Sequence, residues 1–311
     1  MKRFAVPLLA LATCCFSFAM AQEVKRPEIL GVSHIALFAH NVYQSLRFYR
    51  DFLGFEEQFR LNKPDGRLDL LFVKINDRQS IELFAEQITG SDRLHQIALE
   101  TSDVQQMRRY LASCGIKVPD KVNKGRIGNL SFSVKDPDGH TVEFVHYLPE
   151  GWTMQDRGKH MTDARISAHL KHIGFMVDSL DRAMRFYRDV LGFQETWRGS
   201  SSGTVLSWVN LKVPEGDEYI EFMLYRDPPT QTQLGSMNHL SLEVPDVDEG
   251  AKVLESRSAR KEYARPLVTR TGINRKRQLN LFDADSSRVE LMEPKTVDGI
   301  PSKSSTAPPP K

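Results

Sequence analysis

His34 and His172 stand at the same place in two stretches of chain that nearly copy one another. VSHIALFAHNVYQSLRFYRDFLGF and LKHIGFMVDSLDRAMRFYRDVLGF each set a histidine in an apolar, strand-like run, then a polar turn, then a helical pattern. A neutral imidazole on a strand can ligate a metal or carry a proton, although an isolated one is more often a satisfied core residue. The thiols offer less. Cys14 and Cys15 fall in an N-terminal leader, and the remaining Cys114 is expected to be a small buried hydrophobe after a helix, not a nucleophile. One cysteine builds no thiolate metal site. RTGINRKRQ gathers Arg270, Arg275, Lys276 and Arg277 in a loop or strand edge. They could grip a carboxylate or phosphate; a solvated basic loop is the plainer reading.

The elements that must position these groups are legible in the repetition. RFYRDFLGFEEQFR begins at Arg47 and RFYRDVLGFQETWR at Arg185, 138 positions later (185 − 47). Val42, Leu46, Tyr49 and Leu53 lie at helical spacing, as do Leu180, Met184, Tyr187 and Leu191. Asn41 and Asp178 are placed to cap, and Gly54 and Gly192 to end, the two helices. Most of the repeated string is therefore scaffold, with Phe48 and Tyr49 in the core. Fainter copies, HQIALETSDVQQMRRYLASCGIKV and NHLSLEVPDVDEGAKVLESRS, repeat strand, acidic cap and helix. Each of the four copies runs on into alternating segments that read as three strands. The unit is βαβββ, written four times, and the fold class is α+β. The expected layout is a leader at 1–21, one pair of units over 28–149, a polar connector over 150–168, a second pair over 169–294, and a disordered tail over 295–311.

Composition narrows the function classes. MKRFAVPLLALATCCFSFAMAQ has a basic start, a short apolar run and small residues before Gln22, which reads as a secretory signal cleaved after Ala21. Lipoprotein processing at Cys14 is the weaker alternative. The expected location is periplasmic or secreted. Loss of Lys2 and Arg3 takes the 42 basic residues to 40, against 40 acidic ones. A neutral chain of this kind predicts neither nucleic-acid binding nor membrane insertion. A small-molecule substrate and a monomer or homodimer are expected.

The βαβββ unit, the phrase FYRD-x-LGF after a strand histidine, and DPDGHTVEF closing a unit resemble the vicinal oxygen chelate (VOC) superfamily of glyoxalase I, extradiol dioxygenases, epimerases and fosfomycin- and bleomycin-resistance proteins. The resemblance spans nearly all of residues 30–294 and implies two VOC domains, each a curled mixed sheet that cups a metal. It implies ligands on the first and last strand of each unit. Those positions hold His172, Glu221, His239 and Glu290 in the second half, and a weaker set, His34, Glu82, Gln96 and Glu143, in the first. Strand alternation puts Gln96 inward and His95 outward. Two imidazoles and two carboxylates suit one divalent transition metal, with Ni, Zn, Co, Mn and Fe all open. The short link within each half favours pairing of units within halves; pairing across halves would instead join His34 and Glu82 to His239 and Glu290.

For such a site the resemblance implies proton transfer of the glyoxalase I or epimerase type, with Glu290 as base and Glu221 as second choice. Fe(II) ring cleavage is the alternative, using His172, His239 and Glu290 as the facial triad. It lacks an acid–base histidine ahead of His239, where position 224 is Leu. Non-catalytic binding of a small molecule is the third reading. Trp197, Trp208, Tyr219 and Tyr225 are candidates to line the second cup, and His140 and His146 receive no role.

Overall fold

The computed structural model describes residues 24–86 and 92–311, so the leader lies outside the described residues. The first half opens with β1 (Ile29–Ala39), then α1 (Val42–Arg47), β2 (Glu56–Asn62), β3 (Leu68–Lys74) and β4 (Ser80–Ala85). The second unit repeats this as β5 (Leu94–Thr101), α2 (Val104–Ser113), β6 (Asn123–Lys124), β7 (Leu130–Lys135) and β8 (Thr141–His146). After α3 (Trp152–Gln155) come β9 (Leu170–Val177), α4 (Leu180–Met184), β10 (Gln194–Gly199), β11 (Trp208–Lys212) and β12 (Tyr219–Leu224). The last unit has α5 (Gln231–Met237), β13 (His239–Glu243), α6 (Val247–Ser256), β14 (Thr269–Thr271), β15 (Lys276–Phe282) and β16 (Arg288–Thr296).

These strands form two curled eight-stranded sheets, ordered β2-β3-β4-β1-β5-β8-β7-β6 and β10-β11-β12-β9-β13-β16-β15-β14. Units therefore pair within each half, with β1 against β5 and β9 against β13, both antiparallel. Strand alternation divides each sheet into two faces. Ile35, Leu83, Leu99 and Phe144, like Ile173, Phe222, Leu242 and Leu291, enter one core that runs through both halves. The opposite, concave faces carry the polar candidates.

The repeated string turns out to join the halves. In RFYRD the helix loosens to π pitch over Phe48–Phe52 and again over Arg185–Val190. Leu53 N donates to Phe48 O and Leu191 N to Phe186 O, each at 3.0 Å. The extra residue in the turn brings Tyr49 and Tyr187 into the core, where both are buried. Tyr187 Oη then donates across the halves to Asp136 Oδ2 at 3.0 Å, and Tyr49 Oη to Asp283 Oδ2 at 3.4 Å. Those aspartates open the equivalent turns before β8 and β16. Gly54 and Gly192 take φ of 82° and 81°, the left-handed conformation the helix ends require. Asn41 caps α1 as expected, whereas α4 is capped by Ser179 and not Asp178.

Two further expectations give way. The tail over 295–311 is not free: Ser305 N donates to Arg198 O at 2.9 Å at the end of β10, and Leu206 N, in the loop after β10, donates to Pro308 O at 2.8 Å. Proline-rich composition forbids a ladder strand but not isolated hydrogen bonds of this kind. Cys114 is exposed, not buried. The helical pattern of Val104, Met107 and Leu111 points to position 114, but α2 ends at Ser113 and the chain turns away at Gly115 (φ 78°).

Candidate metal centre

His172 projects from β9 and His239 from the start of β13, while Glu221 and Glu290 come from β12 and β16. Ladder registry brings them together. His172 pairs with Ser241, which pairs with Glu290, and Gly174 pairs with both Glu221 and His239. The imidazole Nε2 atoms face one another at 3.1 Å. Glu290 Oε2 lies 3.4 Å from His172 Nε2, and Glu221 Oε2 lies 3.6 Å from His239 Nε2. All four residues are buried. His172, His239 and Glu290 have donor atoms mutually within 4.8 Å; Glu221 stands slightly apart.

The spacing and chemistry of this set fit a metal. Donors about 2.1 Å from an ion lie about 3.0 Å apart in an octahedron and about 3.4 Å apart in a tetrahedron. Burial, and then the nearby Arg288 guanidinium, hold both histidines well below their usual range, so they are neutral, as ligands must be. Burial first, then the Glu290 charge, pushes the Glu221 carboxyl up to about 8, and burial also raises Glu290. Without a cation the pair of carboxylates is held partly protonated. His172 stacks on Tyr219 with ring centroids 4.5 Å apart, and His239 Nδ1 lies 2.7 Å from Met237 O. The latter contact is the one that fixes a ligating imidazole's tautomer.

The first half brings its set together too, but closes it on itself. His34 Nε2 lies 3.1 Å from Glu143 Oε2 and 3.5 Å from Glu82 Oε1. Gln96 Nε2 is 3.0 Å from the same ring nitrogen and donates to Glu143 Oε2 at 2.7 Å. The amide thus spends its protons holding the carboxylate, and its oxygen would reach the centre only by breaking that bond. Burial, then the glutamates, act on His34 in opposite senses and leave it raised; burial lifts Glu82 to about 7. His95 turns outward and stacks on Phe84 at 4.1 Å.

Each centre faces a cavity. The first, about 230 Å³, is lined by His34, Glu82, Gln96 and Glu143 together with Tyr147 and Asn129. The second, about 380 Å³, is lined by Trp197, Trp208, Glu221, Arg270, Arg288 and Glu290. A neighbouring cavity of about 570 Å³ holds Tyr219, Asn210 and Lys276 and is bordered by the tail residues Gly299, Pro301 and Ser302. Tyr225, expected in the second cup, lines a cavity between the halves instead. Arg275 and Arg277 point away, paired with Asp298 and Asp248, so only Arg270 of the basic loop meets the Glu221–Glu290 cavity. His140 is bound to Asp136 at 2.9 Å. Arg288 and Gly174 were not foreseen from sequence. Arg288 sits two residues before Glu290, and the strand's period of two was the available signal.

A sequence model of the Glyoxalase/Bleomycin resistance protein/Dioxygenase superfamily matches residues 31–144 and 169–291, one match per sheet. The chain belongs to this superfamily. Among characterised relatives, it is 24% identical to glyoxalase I of Saccharomyces cerevisiae over 228 residues, covering 63% of this chain and 68% of the yeast protein. It is 28% identical to lactoylglutathione lyase of Neisseria meningitidis over 120 residues, 36% of this chain and 87% of that one. Of solved structures, the Mn(II)-bound glyoxalase of Novosphingobium aromaticivorans superposes with a TM-score of 0.66 at 16% identity, covering 90% of this chain and 85% of that one. Homoprotocatechuate 2,3-dioxygenase of Brevibacterium fuscum (E323L mutant) gives 0.64 at 17% identity, covering 86% and 72%. At these identities the superpositions speak for the shared VOC fold.

Proposed function

We propose that this VOC protein is an exported, metal-dependent enzyme whose second cup catalyses proton transfer on a small substrate with vicinal oxygens, in the manner of glyoxalase I or an epimerase. The convergence of His172, Glu221, His239 and Glu290 at ion-sized spacings carries this reading. These four would hold one divalent ion, which supplies charge stabilisation for an enediolate. Glu290 is the base: its carboxylate is buried beside the cavity, where a carbon-bound proton next to a carbonyl can be presented to it. Glu221, as a fourth donor, fits chemistry that does not need three open positions on the ion.

Metal analysis of the mature protein with His172→Ala and His34→Ala tests the assignment, alongside deuterium uptake by dihydroxyacetone in D2O. Exchange that follows the metal and is lost in Glu290→Gln and His172→Ala supports it. Wild-type protein that takes up no metal after reconstitution overturns it. A second reading, Fe(II) ring cleavage, draws on the tighter grouping of His172, His239 and Glu290. Oxygen uptake with catechol that depends on Fe(II) would favour it.

A further inference from the structure

Among the described residues, the second cup holds a guanidinium, that of Arg288, on which Glu290 and Glu221 act without forming a salt bridge. Arg288 sits on β16 two residues before Glu290, so both side chains leave the same face, and it lines the cavity with Glu221, Glu290 and Arg270. Its Nε is buried, with no hydrogen-bond partner among the described residues. One ω-nitrogen lies 2.6 Å from His239 Nδ1, the atom that also lies 2.7 Å from Met237 O. A single ring nitrogen cannot serve both contacts: the carbonyl needs an N–H there, and the guanidinium needs a lone pair. When Nε2 is the ligating atom, the proton sits on Nδ1 and goes to Met237 O. Arg288 is then a half-buried donor facing another donor. A buried charge left without a partner is costly.

The first cup has no counterpart. Thr141 occupies the equivalent place before Glu143, and the arginines there, Arg78 and Arg126, are paired with Glu100 and Asp69. Arg270, at the mouth of the second cup, makes one side-chain hydrogen bond among the described residues, from Nε to Gln278 Oε1 at 3.2 Å. Charge counting sets the ligand's valence. Two carboxylates balance a divalent ion, so Arg288 leaves the floor with one positive charge, and a monoanion restores neutrality.

We infer that the substrate of the second cup is a small carboxylate, whose carboxyl group is received by Arg288 with Arg270 behind it. This rests on the functional reading above for its site but makes a separate claim about charge. A carboxylate matches the planar fork of a guanidinium with two parallel hydrogen bonds, and its arrival releases His239 Nδ1 to Met237 O.

The probes are catechol and 3,4-dihydroxybenzoate, which share vicinal oxygens and differ by one carboxylate, with inorganic phosphate as a third. Calorimetric titration is run on Zn-loaded and metal-free protein. The expected result is a preference of about tenfold or more for dihydroxybenzoate over catechol, reduced to about onefold in Arg288→Met and partly kept in Arg288→Lys. Zn stoichiometry and circular dichroism should be unchanged in both variants. His34→Ala should keep the preference. Equal affinity for the two probes in wild type, or a preference that survives Arg288→Met, overturns the inference, as does phosphate binding more tightly than dihydroxybenzoate. A preference in metal-free protein that never takes up Zn would support the charge inference while removing the metalloenzyme reading.

Discussion

Replacing Gly174 by alanine should dismantle the second centre without touching any of its four polar residues. A methyl at this position would lie 1.9 Å from His239 Cε1, 2.4 Å from Nδ1 and 2.7 Å from Nε2. Carbon atoms in contact sit about 3.5 Å apart, so the ring must withdraw by about 1.6 Å. Metal–ligand distances tolerate changes of about 0.2 Å, so the retreat removes His239 as a donor. Loss of a supporting residue alone costs about 10–100-fold in metal affinity, and displacement of a ligand should reach at least the upper end of that range. Overpacking should cost the metal-free fold about 1–3 kcal/mol. Zinc affinity measured by competition with a chelating indicator, beside circular dichroism and thermal melting, separates the two effects. Binding within threefold of wild type by a folded Gly174→Ala protein would show that His239 is not a ligand or does not lie where the registry puts it.

The same geometry makes a reciprocal prediction for the first cup, where Ala36 pairs with Gln96 as Gly174 pairs with His239. Gln96→His alone should gain no zinc affinity, because the Ala36 methyl fills the space the ring needs. Gln96→His with Ala36→Gly should gain about tenfold or more, counted against the affinity cost of misplaced ligands. Equal behaviour of the single and double variants would refute the steric account of why the two cups differ.

Zinc affinity of the second site should fall about tenfold for each pH unit below about 8. Glu221 must lose a proton to bind, whereas the already neutral His172 and His239 release none; a flat profile from pH 6 to 8 counts against this. Without metal the sign reverses. Glu221 is protonated in the folded state up to about pH 8 but ionises near 4.5 when unfolded, so apo stability should decline as pH rises through that window, by an amount on the order of a few kcal/mol, read by urea unfolding. Tyr187→Phe should cost about 1.5–3 kcal/mol through its bond to the Asp136 carboxylate, and Tyr49→Phe less, since its contact with Asp283 is longer and burial raises that carboxyl to about 7. The exposed Cys114 thiol should react with a disulfide reagent in the folded protein without loss of zinc; a protected thiol would restore the expectation from sequence.

What could be read from sequence was whatever local periodicity encodes. Helical spacing gave α1 and α4, glycines gave their ends, and strand alternation put Gln96 and His239 inward with His95 outward. What escaped depends on contacts between segments far apart in the chain. The π turns carry the same apolar pattern as an α-helix for their first residues, and the Tyr187–Asp136 bond spans 51 positions. The tail lacks any core-forming pattern, yet it docks through backbone groups that every residue possesses. Arg288 reads as a surface arginine beside a turn until β13 is laid against β16, because only then does His239 face it.

The two cups therefore differ by coupled changes and not by the loss of one ligand. In the second, a glycine admits an imidazole, the imidazole needs a carbonyl for its Nδ1 proton, and an arginine beside it lacks an anion. In the first, an alanine fits only an amide, the amide bonds Glu143, and a threonine stands where the arginine would be. The first arrangement is satisfied internally, whereas the second is completed by two outside groups. The closed network of His34, Gln96 and Glu143 needs nothing added, whereas the second floor has two neutral imidazoles, partly protonated carboxyls and a guanidinium whose nearest polar partner is His239 Nδ1. A cation between the carboxylates and a monoanion on the arginine would satisfy all of them at once. Because the members of each set are coupled, Gly174→Ala should cost the second cup its zinc, while the reverse exchange, Ala36→Gly, should gain zinc in the first cup only together with Gln96→His.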